Sequence, residues 1–353
     1  MQAKKTSVNR RGALGLIGAA STATLFTPPT IVMAAAPREK ITVAVGAEHA
    51  LVYLFWDLAK GLGYFEQEGL DANLIYTKGG SEASQALVSG SADYSGNAID
   101  HAIAAASQGK SLVMISDFMG VPGITLLIRA ADKAKYKTYA DLKGKTVGIT
   151  SPGSATHVLA IWMAKVAGMS KDDIKVIGVG GGSTMVAALQ GGRVEAAFGN
   201  DPFVTQMMKA GTAVPLVDLF VPAQSRRAIG FHSYCFTGAL TRADVIAKRP
   251  ETTQKVANAL VRAQKYLATH SSLQTANALS DELRGGVAEA TWAQSLSHSR
   301  SAYTNHGEIS LEGVAAVIET NKYFGDTGGG GNIDANKLFD NSFVEKANKA
   351  VKV

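Results

Sequence analysis

Residues 150–156 (TSPGSAT) combine hydroxyl groups with a predicted change from strand to helix. Ser151, Ser154 and Thr156 offer three hydroxyl groups beside the free N–H groups of a helix start. This combination binds oxyanions well, because it supplies hydrogen-bond donors without burying a mobile counter-charge. The segment therefore predicts a binding site for an oxyanion. A serine-rich helix cap without a ligand is the alternative interpretation.

An internal repeat places two further candidate sites at helix starts. At an offset of 102 residues, Gly79, Gly80, Ser81, Ala86, Leu87 and Gly90 match Gly181, Gly182, Ser183, Ala188, Leu189 and Gly192. One inserted residue later, Asn97 matches Asn200. Each copy predicts a strand, a Gly-Gly-Ser turn, a helix capped by Ser81 or Ser183, a second strand and a further helix. Two such copies facing one another predict a cleft lined by helix N-termini. Ordinary strand-to-helix turns with good caps are the alternative.

Short apolar strands alternate with helical stretches from residue 41 onward, which is typical of an α/β sheet protein. Strands are predicted at 41–45, 72–76, 92–95, 112–118, 124–129, 146–150, 174–178, 194–198 and 213–218. Helices are predicted at 51–61, 81–89, 98–107, 154–166, 184–190 and 202–209. After a return segment at 231–240, we expect mostly helix, with breaks at Pro250, Gly285 and the glycine tract 328–331. We interpret that tract as a surface loop.

The composition excludes a largely disordered chain, because 46% of the 353 residues are hydrophobic and only 18% are charged. This length predicts about two lobes of ~150 residues. The formal net charge of +6 would suggest a polyanionic partner if it were spread over the folded protein. Four of the positive residues lie within residues 1–36, namely Lys4, Lys5, Arg10 and Arg11.

Residues 1–36 have a basic start, an uncharged and moderately apolar run, and an AAA sequence at their end. This pattern predicts an export signal peptide. The pair Arg10 and Arg11 indicates the twin-arginine type, and a general secretory signal is the alternative. Removal of the segment would take four of 35 basic residues and none of 29 acidic ones, which leaves a net charge of +2. The charge therefore does not predict a nucleic-acid partner.

Motifs of catalytic or metal sites are incomplete in this sequence. Cys235 is the single cysteine, so an intramolecular disulfide and two-thiol metal or redox motifs are excluded. Residues 79–83 (GGSEA) lack the last glycine of a nucleophile elbow, and residues 178–183 (GVGGGS) lack the third glycine of a dinucleotide fingerprint. His298 and His306 have no metal-ligand spacing. The sequence therefore predicts a protein that is not an enzyme, with no cofactor and no metal.

Several motifs together resemble one known group of proteins. The matching stretches are 64–69 (YFEQEG), 89–93 (SGSAD), 141–148 (DLKGKTVG), 151–156 (SPGSAT), 180–189 (GGGSTMVAAL) and 199–202 (GNDP). They resemble the periplasmic substrate-binding components of ABC importers, and within these the nitrate, taurine and alkanesulfonate group. This group is similar to the thiamine-precursor binders called NMT1/THI5-like. The resemblance covers residues 41–218, and the helical C-terminal part matches only in character.

The resemblance implies a fold of two α/β domains joined by two crossover segments, the type II periplasmic binding protein fold. Lobe one would comprise residues 37–120 and 229–353, including the helical C-terminal part, and lobe two residues 121–228. Closure of the lobes around a solute would present the surface that docks on the membrane permease. Eukaryotic pyrimidine synthases of the same fold carry a cysteine-rich motif, which this chain lacks.

The same resemblance implies a set of ligand-binding residues and a function. The residues are His49, Ala50, Gly80, Ser81, Asn97, His101, Ser154, Ala155, Thr156, Ser183, Asn200 and Asp201. The implied function is a monomeric, soluble periplasmic receptor that binds a small organic anion, a sulfonate or carboxylate, and delivers it to an ABC permease. The matched motifs contain no arginine, which favours an organic anion held by dipoles and hydroxyls. A thiamine-type pyrimidine precursor, nitrate, or an exported enzyme of this fold are the alternatives.

Overall fold

The computed structural model describes residues 37–325 and 333–351. The predicted signal peptide at 1–36 and the glycine tract at 328–331 lie outside the described residues. No helix within these described ranges is both long and apolar enough to cross a membrane.

The strands are short, and most are buried on both faces, as expected for sheets that helices cover on either side. They are β1 Glu39–Val45, β2 Leu70–Tyr76, β3 Tyr94–Ala98, β4 Leu112–Asp117, β5 Thr125–Arg129, β6 Thr146–Ile149, β7 Lys175–Gly178, β8 Ala196–Gly199, β9 Ala213–Asp218 and β10 Thr237–Arg242. The apolar runs in the sequence therefore predicted the positions of nearly all of them.

Helices follow most of the strands and make up the C-terminal part of the described chain. They are α1 Leu54–Gly61, α2 Tyr64–Gln67, α3 Gly80–Ser89, α4 Asp100–Ser107, α5 Ala155–Val166, α6 Gly182–Gln190, α7 Phe203–Lys209, α8 Pro222–Ile229, α9 Ala243–Lys248, α10 Pro250–Thr269, α11 Ser272–Asn277, α12 Glu289–Ser299, α13 Leu311–Phe324 and α14 Ser342–Ala350. Short 3-10 helices occupy Leu51–Tyr53, Ala130–Asp132, Tyr139–Leu142, Lys171–Asp173, Arg300–Ala302 and Ala335–Lys337.

The strands form two five-stranded sheets, ordered β2-β1-β3-β10-β4 and β7-β6-β8-β5-β9. In the first sheet β1 runs parallel to β2 and β3, whereas β10 runs antiparallel to β3 and β4. The second sheet has the same pattern, with β6 parallel to its neighbours and β5 antiparallel to β8 and β9. This equivalence confirms the predicted α/β fold with two lobes. We call the sheets with their packed helices lobe 1 and lobe 2.

Each lobe contains one copy of the sequence repeat. The first copy forms β2, α3, β3 and α4, and the second forms β7, α6, β8 and α7. The one antiparallel strand of each sheet shows the same register shift against the edge strand, at Ala239 and Leu240 in β10 and at Leu126 and Leu127 in β5. The likeness of the lobes thus extends from the repeat to the irregularities of the sheets.

Two chain segments connect the sheets, and they are hydrogen-bonded to each other. One runs from β4 to β5 and the other from α8 to β10. Phe118 N donates to Thr237 O at 2.8 Å, and Phe236 N donates to Met119 O at 3.1 Å. A short paired ribbon therefore joins the two lobes, a geometry that suits a hinge between rigid bodies.

The largest apolar cluster extends through both lobes, and Trp56 lies in its lobe 1 part. Trp56 of α1 is fully buried, its ring stacks on Phe65 at a centroid distance of 5.9 Å, and its edge contacts Phe118. Fully burying aromatic and aliphatic side chains of this size contributes roughly 1.5–3 kcal/mol each. This packing fixes the strand ends of lobe 1 that carry candidate site residues.

The structure corrects four details of the prediction. The helix expected at 51–61 is a 3-10 turn followed by α1, and the strand expected at 92–95 is shifted to Tyr94–Ala98. Ser81 and Ser183 do not cap their helices, because α3 and α6 begin one residue earlier, at Gly80 and Gly182, with glycine N-caps. The return segment forms β10 later than expected, and helix α8 before it was not predicted.

Candidate functional site

Two adjoining cavities lie between the lobes, and we call the smaller one the inner cavity and the larger one the outer cavity. The inner cavity has a volume of about 30 Å³ and is lined by residues of both lobes. The outer cavity is larger, about 640 Å³, and shares Ala47 and Asn200 with the inner one. A water needs roughly 10–15 Å³ by this kind of measure, so the inner cavity accepts only a small chemical group. The remainder of a bound molecule would lie in the outer cavity.

The inner cavity is built from strand ends and helix starts. Gly46 follows β1, Asn97 belongs to β3, Thr150 follows β6 and Asn200 follows β8. The helices that begin at this cavity are α3, α4 and α5, which contribute Gly80, His101, Ala155 and Thr156 to the lining. Helix starts carry unsatisfied N–H groups and partial positive charge, so they favour an anion or a polar oxygen.

Three hydroxyl groups at the start of α5 form a closed triangle. Thr150 Oγ1 donates to Ser154 Oγ at 2.8 Å, Ser154 Oγ lies 2.8 Å from Thr156 Oγ1, and Thr156 Oγ1 lies 2.9 Å from Thr150 Oγ1. Thr150 N also donates to Thr156 Oγ1 at 2.9 Å. The three hydroxyl groups hydrogen-bond to one another, and each can rotate its proton toward an acceptor in the inner cavity.

His101 brings a neutral imidazole to the opposite wall of the inner cavity. Burial lowers the pKa of His101 to about 4, because little water reaches the ring to stabilise its charged form. The ring packs against Gly80, where an added Cβ would lie 2.5 Å from both His101 Nε2 and Asn97 Oδ1. Asn97 Nδ2 in turn donates to Gly80 O at 2.9 Å. Glycine at position 80 therefore makes this close packing possible.

Charged side chains line the outer cavity but not the inner one. Glu48, Lys78, Glu82 and Arg193 all contribute to the outer wall. Within the part of the chain that the structure describes, no lysine or arginine lines the inner cavity. The inner cavity therefore offers dipoles and hydroxyl groups, and the outer cavity offers exposed charged side chains.

The structure brings most of the predicted site residues to the two cavities. Gly80, Asn97, His101, Ser154, Ala155, Thr156 and Asn200 line the inner cavity, and Ala50, Ser183 and Asn200 line the outer one. Ser81 lies at the junction of the lobes, where its Oγ is 3.1 Å from Ser151 Oγ and donates to Pro152 O at 3.2 Å. It links the two lobes beside the cavities.

His49 lies to the side of the predicted cleft. Its backbone has φ 49°, an uncommon conformation for a residue with a side chain. The ring lies 4.7 Å from that of Tyr76 and contacts Gly285, in a separate cavity of about 310 Å³ between the lobes and the α11–α12 loop. The structure therefore places His49 near the rim of the site, outside both the inner and the outer cavity.

Asp201 turns away from both cavities. It is fully buried, and its Oδ1 accepts hydrogen bonds from Thr205 N at 3.0 Å and Thr205 Oγ1 at 2.7 Å. Its Oδ2 lies 2.6 Å from His298 Nδ1. The carboxylate thus interacts with α7 and α12, while the neighbouring Asn200 reaches the cavities.

Sequence reasoning missed several residues of the cavity walls. Thr150, Tyr53 and Phe236 line the inner cavity, and Lys78 and Arg193 line the outer one. Thr150 ends the segment that was already predicted to be a strand, so its place before the serine-rich turn was an available signal. Lys78 and Arg193 flank the two copies of the repeat. Tyr53 and Phe236 gave no signal, because aromatic residues near strand ends usually belong to the core.

Two mixed α/β sheets, two connecting segments and a site at the strand ends between them define the periplasmic binding protein fold. Within this class, the chain belongs to the NMT1/THI5-like family, whose model matches residues 47–272. This result confirms the resemblance seen in the motifs.

Curated relatives carry names of two kinds. The chain is 26% identical over 225 residues to a 4-amino-5-hydroxymethyl-2-methylpyrimidine phosphate synthase of Aspergillus parasiticus, covering 62% of this chain and 63% of that protein. It is 27% identical over 217 residues to a putative binding protein of Brucella abortus (strain 2308), covering 59% of this chain and 61% of that protein. The chain thus spans a little under two thirds of the length of these relatives.

Solved structures with the same fold cover nearly the whole chain. A protein from Bordetella bronchiseptica RB50 matches with a TM-score of 0.80 and 27% identity, over 89% of this chain and 98% of that one. The alkanesulfonate-binding protein from Xanthomonas axonopodis pv. citri bound to MOPS matches with a TM-score of 0.65 and 20% identity, over 83% of this chain and 96% of that one. The periplasmic nitrate-binding protein from Synechocystis PCC 6803 matches with a TM-score of 0.71 and 14% identity, over 89% of each chain.

Proposed function

We propose that this protein is the periplasmic solute-binding component of an ABC importer and captures a small organic anion between its lobes. The observation that carries the proposal is the convergence of three helix starts, α3, α4 and α5, on one small cavity that both lobes line. Helix N-termini bind carboxylate and sulfonate groups through N–H donors and partial charge. Binding there would draw the lobes together about the paired connecting segments.

The size of the two cavities supports a ligand with two parts. A carboxylate or sulfonate group suits the inner cavity of about 30 Å³, and an aliphatic or aromatic body suits the outer cavity of about 640 Å³. In this arrangement the ligand contacts both lobes, and its affinity would be higher for the closed state than for the open one. Such a difference in affinity is what drives closure. Delivery to a membrane permease is the step that would follow.

A pyrimidine ligand is the second candidate, and one observation favours it. The imidazole of His101 is neutral at physiological pH, and no cationic side chain of the described residues lines the inner cavity. A ring nitrogen or amino group at the edge of such a neutral ring would enter the inner cavity and pair with the hydroxyl triangle and the neutral imidazole, while the rest of the ring would lie in the outer cavity. The synthase relatives are named for a methylpyrimidine phosphate, which agrees with this candidate.

A thermal-shift screen separates the candidates. The protein without residues 1–36 would be mixed with alkanesulfonates, aliphatic and aromatic carboxylates, nitrate and 4-amino-5-hydroxymethyl-2-methylpyrimidine. A ligand at about 100 times its Kd adds ~2.7 kcal/mol of stability, so a true ligand raises Tm clearly. No shift with any compound would contradict the receptor function. Recovery of the bound compound unchanged, measured by mass spectrometry, would distinguish a receptor from an enzyme.

The variant Ser154→Ala with Thr156→Ala tests the place of binding. Loss of two oxygens from the hydroxyl triangle removes hydrogen bonds worth about 0.5–1.5 kcal/mol each. We expect the Kd of the stabilising compound to rise about tenfold. Ser183→Ala, which changes the outer cavity, is the matched control and should leave the Kd within about twofold. Equal effects of the two variants would contradict binding at the inner cavity.

A further inference from the structure

His298 connects helix α12 to two strand ends of lobe 2. Its Nδ1 lies 2.6 Å from Asp201 Oδ2 and its Nε2 lies 2.8 Å from Asp218 Oδ2. An ionised carboxylate only accepts hydrogen bonds, so both ring nitrogens must carry a proton. The contacts therefore require a positively charged imidazolium between two carboxylates.

The surroundings of this ion group are mostly closed to water. The His298 side chain is 22% exposed, that of Asp218 is 11% exposed, and that of Asp201 is fully buried. Burial alone would lower the pKa of His298, but the hydrogen bonds and charges of the two carboxylates raise it to about 10. The imidazolium is thus the stable form throughout the physiological range.

Other cations near this group are engaged elsewhere. Arg300, two residues along the chain, donates to Leu267 O at 2.8 Å and to His270 O at 2.6 Å. Lys209 of the packed helix α7 donates to Thr291 Oγ1 at 3.0 Å. Phe220 packs on the imidazole at a centroid distance of 5.0 Å. Among the residues that the structure describes, His298 is therefore the cation that forms ion pairs with Asp201 and Asp218.

Each carboxylate is held on both of its oxygens. The second oxygen of Asp218 accepts from Thr125 Oγ1 at 3.2 Å and from Phe220 N at 3.1 Å. The second oxygen of Asp201 accepts from Thr205. Lobe 2 therefore fixes one oxygen of each residue and His298 fixes the other. Loss of the imidazolium would leave two buried negative charges facing each other.

Asp201 links this ion group to the solute cavities. Its neighbour Asn200 lines both the inner and the outer cavity. The main-chain oxygen of Asp201 accepts a hydrogen bond from Leu51 N of lobe 1 at 2.9 Å. Leu51 O in turn accepts from Tyr303 Oη at 2.7 Å. A single aspartate thus joins α12, the wall of the cavities and a contact between the lobes.

We propose that His298 is a positioning residue of the solute site, which holds Asp201 and through it sets Asn200 and the contact of lobe 2 with Leu51. The effect on solute affinity rests on the proposed function. The expected effect on the arrangement of the two lobes is independent of the proposed function, because that arrangement can be measured without any solute. A purely structural ion group would stabilise the fold without changing either property.

The first measurement is the protonation of the ring. ¹⁵N NMR of the ring nitrogens of His298 between pH 6 and pH 8 should show both nitrogens protonated in the wild-type protein. A neutral tautomer at pH 7 would overturn the proposal, because a neutral ring cannot donate to both carboxylates.

The second measurement compares His298→Gln, His298→Arg and the control His306→Gln, whose side chain is 56% exposed. Spin labels at Val88→Cys in lobe 1 and Val166→Cys in lobe 2, both on exposed positions, would report the distance between the lobes. We expect His298→Gln to broaden the distance distribution and shift it to longer values. His298→Arg, which keeps the charge, should restore most of the wild-type distribution, and the control should not change it.

The third measurement uses butanesulfonate and 4-amino-5-hydroxymethyl-2-methylpyrimidine as probes. For a probe that binds the wild-type protein, His298→Gln should raise the Kd at least tenfold, and His298→Arg should recover part of that loss. A lower Tm with unchanged Kd and unchanged distances would overturn the proposal and leave a structural role. If neither probe binds the wild-type protein, the distances still decide the role of His298, and the proposed solute class alone fails.

Discussion

The two copies of the repeat have the same local structure and different neighbours. In each copy two glycines lead from a strand into a helix, α3 in lobe 1 and α6 in lobe 2. Gly80 of the first copy packs against Asn97 and His101 at the inner cavity, whereas Gly182 of the second packs against the ring of Phe203. The repeat supplies the same backbone turn twice, and the adjacent strand and helix decide whether a polar or an apolar wall results.

This difference extends to charge. The first copy contributes an amide and a neutral imidazole to the inner cavity. The second copy contributes its glycine turn and Arg193 to the outer cavity, whose other charged side chains, Glu48, Lys78 and Glu82, come from lobe 1. If solute binds there, we expect the inner cavity to select by shape and hydrogen bonds. We expect the outer cavity to act through exposed charges, which water and salt screen. Substitutions in the two copies should have effects of different size.

We expect the largest effect from Gly80→Ala. The added Cβ would lie 2.5 Å from Asn97 Oδ1 and from His101 Nε2, so both cavity-lining side chains must move. Overpacking of this kind costs about 1–3 kcal/mol, which corresponds to a roughly 5- to 150-fold loss of affinity if the cost falls on the closed site. Isothermal titration with the compound found by the thermal-shift screen measures the loss.

Gly181→Ala in the second copy is the matched control. There an added Cβ would meet its nearest neighbour, Ala47 Cβ, at 4.0 Å, an ordinary contact. We expect its Kd and its unfolding free energy to stay close to the wild-type values. Similar losses for both variants would show that the loss at Gly80 does not come from its contacts with Asn97 and His101.

A second effect, on stability at acid pH, follows from His101. The pKa of His101 is lowered by burial to about 4, whereas an unfolded histidine has a pKa of about 6.5. Between these values the unfolded chain binds a proton that the folded protein does not, so stability falls as the pH decreases from 6.5 to 4. The full loss corresponds to about 3 kcal/mol. Urea unfolding at several pH values measures this slope.

His101→Asn removes the titrating group from the inner cavity and keeps a polar side chain. The difference in unfolding free energy between wild type and variant should therefore change with pH from 6.5 to 4 and be constant above pH 7.5. Comparison of the two proteins cancels the contributions of other buried groups such as Asp100, whose pKa burial raises to about 6. Parallel curves over the whole range would contradict a buried neutral histidine.

The fold was predictable from the sequence because its signals are local. Apolar runs marked the strands, and the repeat with its glycines indicated two equivalent halves around a cleft. The start of α5 was predicted as a binding segment because hydroxyl residues and a helix start coincide there, and the structure places Ser154 and Thr156 in the inner cavity.

Other parts of the site depend on contacts that are distant in sequence. Asp201 follows a strand end, as a ligand-binding residue would, but its carboxylate contacts His298, which is 97 residues further along the chain. Nothing near His298 in the sequence indicates this partner. Tyr53 and Phe236 reach the inner cavity only because a 3-10 turn and the second connecting segment meet there. Such features required the three-dimensional structure.

The smallest effect should come from the charges of the outer cavity. Lys78 and Arg193 are exposed and line its wall, and exposed ion pairs contribute about 0–1 kcal/mol. We expect Lys78→Met and Arg193→Met each to weaken the binding of an anionic probe, butanesulfonate, by about two- to fivefold at low salt. At 1 M salt, where the Debye length is about 3 Å, the difference should disappear.

Lys110→Met, at an exposed lysine away from both cavities, is the control. An effect that persists at high salt would mean that these cations contact the bound molecule directly, and the contrast between a selective inner and an attracting outer cavity would then be wrong.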